Sequence, residues 1–219
     1  MRRIALIAAA LVVVLAVLGL AQLILPGLAA QRLRDRLSKS GTVLQVEVHA
    51  FPAIELLWQH ADRVVIRMSD YHSSSSGLGS TLQDAGGVGT LDASATTLRA
   101  GLLTLRQASL HKRGRELTGS ADVRESDLRS AVPFLDGVVP VSADNGVLTL
   151  RGAATVLGVT AVADAVVAPA GGHVVVRPQV PFGVLGTITA FSNPHVYVDS
   201  LSASLRGDGF AVAASGHLI

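Results

Sequence analysis

The chain has 219 residues, 49% of them hydrophobic and only 4% aromatic, with 18 basic and 16 acidic side chains and no cysteine. Removing Arg2 and Arg3, which precede an apolar leader, leaves as many acidic as basic groups, so the body offers no electrostatic footprint for nucleic acid. The lack of cysteine excludes disulfides, thiol catalysis, zinc-thiolate sites and a lipidated cysteine.

The leader runs from Ile4 to Leu25, interrupted only by Gln22. As a helix it reaches about 33 Å, enough for a hydrocarbon core of about 30 Å. Its length favours a retained anchor, with residues 1–26 in the membrane and a body of 27–219 outside it. Gly19-Leu20-Ala21 and Leu28-Ala29-Ala30 offer small residues for cleavage, so a removed signal peptide stays open. Arg32, Arg34, Arg36 and Lys39 outnumber Arg2 and Arg3, which pulls the charge bias toward a cytoplasmic body.

Leu28, Leu33 and Leu37 recur at helical spacing among Arg32, Arg34, Asp35 and Arg36, predicting an amphipathic helix after Pro26-Gly27. Residues 42–50 alternate, with Leu44, Val46 and Val48 on one side and Gln45, Glu47 and His49 on the other, as a half-buried strand does. Phe51-Pro52 stops it. Residues 53–60 read as a short apolar helix or wide turn, and 61–69 resume alternation through Val64, Ile66 and Met68.

The stretch 71–90 holds four consecutive serines and five glycines without a period and reads as a loop. Strands follow at 91–98 and 102–111, and a basic turn, Lys112-Arg113-Gly114-Arg115, leads into 116–123 as the hairpin partner. A helix starts at Glu125 or Ser126 and ends before Pro133. Strands at 138–142, 146–154, 159–168 and 172–177 are separated by turn signals such as Asp144-Asn145-Gly146 and Ala170-Gly171-Gly172. A last pair, 195–205 and 209–217, closes around Gly207-Asp208. These elements predict an antiparallel α+β fold of roughly ten short strands with a few short helices.

Between Asp164 and Asp199 the only charged residue is Arg177, and 178–196 carries Phe182, Leu185, Ile188 and Phe191 without strict alternation. Such a segment folds under the sheet as core, or faces lipid or a ligand. Elsewhere there is no Gly-x-Ser-x-Gly elbow, no His-Glu-x-x-His and no phosphate-binding loop, and the seven histidines are scattered without metal-ligand spacing. The reading is therefore of a non-enzyme, with no catalytic residues, no metal and no cofactor.

The block from Val46 through Phe51-Pro52-Ala53-Ile54-Glu55-Leu56-Leu57 to His60-Ala61-Asp62-Arg63-Val64 resembles the signature of the LmeA-like phospholipid-binding family, a bacterial cell-envelope domain. The segments 119–128 and 196–216 fit the same pattern, so the resemblance covers about 28–217. Ala53-Ile54 and Trp58-Gln59-His60 depart from the family pattern, which more often has Phe-Leu and Gly there.

The resemblance implies a lipid binder like the tubular lipid-binding domains, with a curved sheet, an apolar groove and no catalysis. It lies at the outer side of the cytoplasmic membrane, anchored or released, with transfer of lipid left open. Its partner is a phospholipid or related membrane lipid. On this reading Phe51, Ile54, Leu56, Leu57, Trp58, Phe182, Leu185, Ile188 and Phe191 line the groove, each with plain core as the competing role. Arg63, Arg67 and Arg99 are headgroup candidates because guanidinium grips phosphate through paired hydrogen bonds. The alternative is an envelope structural or partner-binding protein without a lipid ligand.

Overall fold

A computed structural model describes residues 21–22, 24–58, 60–73, 85–100, 103–131, 137–144, 147–156, 159–179 and 187–219, with the main chain alone at 54, 57, 129, 131, 143, 144, 154–156 and 159. Helix α1 covers 24–37. Strands β1 (Gly41–His49) and β2 (Ala61–Ser73) pair antiparallel around a 3-10 helix, Ala53–Trp58, after a cis Phe51–Pro52 peptide. Strand β3 (Val88–Ala100) then pairs parallel to β2. Strands β4 (Leu103–Arg113) and β5 (Glu116–Arg124) form a hairpin that turns at Gly114, whose φ of 59° suits glycine.

Helix α2 (Glu125–Ala131) carries Glu125 and Asp127 in its first turn, where carboxylates complement the helix dipole. Strands β6 (Gly137–Asp144), β7 (Val147–Val156), β8 (Val159–Ala170), β9 (His173–Gln179) and β10 (Ile188–Phe191) make an antiparallel meander. Strands β11 (Val196–Arg206) and β12 (Gly209–Leu218) return to the first sheet, where β12 pairs with β5. The result is a seven-stranded sheet in the order β1-β2-β3-β4-β5-β12-β11 beside a five-stranded one, β10-β9-β8-β7-β6.

The fold is thus mostly strand with a few helices, in keeping with α+β, but it differs from one antiparallel sheet in two ways. The β2–β3 pair is parallel, which the long connection 74–87 permits, since a parallel neighbour needs a crossover of about a dozen residues. The strands also divide between two sheets. Side-chain alternation is the same for either strand direction and either sheet, so neither feature is written into the local pattern.

Ala29, Ala30 and Leu33 of α1 pack on Val48, Val64, Ala85 and Leu91 at the β1–β3 side of the large sheet. Farther along, the Arg34 guanidinium donates to the Leu44 carbonyl, and Ser40 follows next to His72. The helix therefore runs antiparallel to β1, and its N-terminal end lies toward His49 and Ala61. Among the described residues no helix is long and apolar enough to cross a membrane. Most of the leader, 1–20, lies outside those residues.

Candidate functional site

Strand register sorts the large sheet into two unlike faces. Paired across it on one side are Val48, Val64 and Leu91, then Val46, Ile66, Ala93, Leu110 and Gly119, and onward Ala214 and Leu201. Ala121, Val212 and Ala203 form the next row, and Val123, Phe210 and Leu205 the one after. The middle of this face is thus a lane of Ala and Gly between bulkier flanks. Ala121, Val123 and Phe210 are buried, whereas Val212, Ala214, Leu201 and Ala203 remain half-buried.

The small sheet is apolar on one side and mixed on the other, which bears Val139, Val162, Val166 and the buried Val175. Pro140, Leu150, Ala165 and Pro178 pair across the apolar side, followed by Leu148, Val167, Val176 and Ile188. The mixed side also carries Arg151, whose guanidinium donates to Asp164 at 2.7 Å and 3.0 Å and holds that carboxyl below its ordinary range. Phe191, from the apolar side of the small sheet, packs on Leu117, Val196 and Leu218 from the apolar side of the large one. The two apolar faces consequently meet at Phe191. Strand β11 packs along β6 to β9, and α2 sits between β4 and β6. Leu150, Ala165, Val167 and Val176 are also only half-buried.

Lys112 is the polar exception on the apolar side of the large sheet. It stands opposite Leu91 and Leu117 and is 2% exposed, its ammonium donating to the Val88 carbonyl. Burial lowers its pKa, because the charged form is poorly solvated there. The sequence reading assigned Lys112 to the basic turn. Its spacing of two from Leu110 was the available sign that it shares the apolar phase.

The opposite side of the large sheet is polar. Asp92 lies 2.8 Å from His111 Nδ1 and accepts from Arg63 at 2.9 Å, and these bonds, His111 foremost, lower its pKa. Ser109 bonds Ser120, and Ser200 bonds Ser215, each at 2.7 Å, beside a shallow open hollow of about 370 Å³ also lined by Thr118 and Ser202. Its lining mixes these hydroxyls with Gly119, Ala213 and Ala214. Tyr197 stacks on His217 with centroids 5.1 Å apart, and His217 reaches Asp199 at 2.9 Å.

The residues singled out from sequence fall in different places. Leu56 packs on the core beneath α1, while Phe51 and Trp58 are 79% and 65% exposed at the turn between β1 and β2. Ile188 is exposed on β10, and Phe191 joins the two apolar faces. Phe182 and Leu185 lie outside the described residues, as do the side chains of Ile54 and Leu57. Arg63 and Arg67 project from the polar face, opposite His49 and Gln45. Arg99 alternates in phase with Leu91 and Ala93, so it stands on the apolar side at the far end of β3, and is exposed. Near that end the Arg106 guanidinium donates to Asp127 at 2.9 Å and 3.2 Å, joining β4 to α2. Among the described residues no cluster of three His, Asp or Glu side chains could hold a metal ion.

The fold and these faces define a β-rich, two-sheet domain whose apolar sides touch at Phe191. A family model described as LmeA-like phospholipid-binding matches residues 16–212, and the chain belongs to that family. Neither a curated protein nor a solved structure matches it.

Proposed function

We propose that this protein binds a phospholipid or a related envelope lipid, without catalysis, between the apolar faces of its two sheets. The observation that carries the reading is the junction at Phe191, where the apolar side of the small sheet touches that of the large one, with Val212, Ala203, Val167 and Val176 half-buried on those two sides. Membership of a phospholipid-binding family supports the same ligand class. Each methylene moved from water onto such a lining contributes about 0.8 kcal/mol, so affinity needs length of contact rather than reactive groups. On this reading Arg99, exposed on the apolar side at the far end of β3, meets the phosphate of the bound lipid. In this reading the domain works at the outer side of the cytoplasmic membrane, held by the apolar run 4–25 or released after its cleavage.

Native mass spectrometry of the full chain extracted from its host membrane tests this. Bound phospholipid is the expected result. A mass matching protein alone would instead favour an envelope scaffold that docks other proteins.

A further inference from the structure

We infer that the end of the large sheet carrying His49 and Ala61 rests on a bilayer surface, with Phe51 and Trp58 set into its interfacial layer. Both aromatic side chains stand in the turn between β1 and β2 and are mostly exposed, at 79% and 65%. Large exposed aromatics are costly in water, and Trp in particular favours the headgroup region, where its ring is buried and its N–H stays wet. The direction of α1 supplies a separate argument. Its packing on Val48 and Val64 and its later bond to Leu44 put residue 24 at this same end, and in the sequence the apolar run 4–25 leads directly into it. Ile24 and Leu28, 55% and 52% exposed, extend the apolar surface there.

The charged groups at this end agree with phosphate as neighbour. Arg113 pairs across from Thr90 and Glu116 at the adjoining exposed hairpin tip, where Arg115 beside it donates to the Leu218 carbonyl at 2.8 Å. Two carboxylates nearby are already engaged: Asp62 accepts the Phe51 N–H at 2.7 Å, and Asp92 is held by Arg63 and His111. Basic side chains near an anionic leaflet are attracted to it, and Arg113 is exposed at this tip.

The inference rests on the reading of a membrane-side lipid binder, and its test separates the two. Trp58 is the only Trp, so its emission reports this turn alone. The full chain is reconstituted in vesicles of phosphatidylcholine with phosphatidylglycerol, part of the lipid brominated near the headgroup end of its acyl chains. Trp58 is expected to shift to the blue, lose roughly half its emission to bromine and become several-fold less accessible to iodide, as for a ring in the interfacial belt. Arg113→Ser with Arg115→Ser is expected to weaken the quenching. A Trp58 that stays open to iodide and unquenched in vesicles overturns the inference. So does equal quenching by brominated lipid carried on the protein in detergent without a bilayer, which would place the ring against a bound ligand. Lipid retained in detergent, weighed by mass spectrometry, reports the binding function independently.

Discussion

Ala214→Phe tests the lining most directly. Ala214 sits in the small-residue lane, between Gly119 on β5 and Leu201 on β11, and is half-buried on the apolar side. A phenyl ring there occupies space equal to about four methylenes of an acyl chain, and at about 0.8 kcal/mol each their loss amounts to about 3 kcal/mol. That corresponds to roughly a 200-fold weaker lipid affinity. Ser204→Phe is the matched control, because Ser204 pairs with Ala211 on the opposite side of the same two strands. The assay is lipid per protein by native mass spectrometry, with circular dichroism and thermal melting to confirm that both variants fold. A folded Ala214→Phe protein carrying as much lipid as the wild type would refute the assignment of this face, and equal loss in Ser204→Phe would show that the effect is not face-specific.

Two further outcomes follow from local geometry. Gly216→Ala places a methyl carbon 2.3 Å from the Tyr197 carbonyl oxygen, so β11 must shift from β12; a loss of about 1–3 kcal/mol is expected in urea unfolding, as for other overpacked sites. Lys112→Met keeps the side-chain volume and removes the buried ammonium, so its stability at neutral pH should equal or exceed that of the wild type despite losing the bond to Val88. Because burial lowers the folded-state pKa of Lys112, the unfolded chain binds more protons between that value and the ordinary lysine value of about 10.4; wild-type stability should rise with pH across this window, and the methionine variant should lack that rise when unfolding is followed from pH 7 to about 10.

Most strands were legible from alternation, since a period of two needs only the side chains of the strand itself. Val46, Glu47, Val48 and His49 show it in β1, and Leu117 to Val123 show it in β5. Strand β10 was hidden because 178–196 is apolar on both phases and broken by Pro and Gly, which leaves no period to read. The candidate lining was only partly visible. Phe51, Leu56 and Trp58 look alike in a linear reading, yet Leu56 faces the core while the other two face outward. The lane of Gly119, Ala121, Ala214 and Ala203 went unnoticed, because each is unremarkable in its own strand and the lane exists only across neighbours.

By itself the sequence determined the phase of each regular strand, the apolar character of one side of each, and the family to which the chain belongs. The tertiary structure alone decided that β2 and β3 run parallel, that the strands divide into two sheets, and that their apolar sides meet at Phe191. The reason is physical: alternation depends on the pleat of a single strand, whereas partner, direction and facing surface depend on contacts between residues far apart in the chain, which no local pattern encodes.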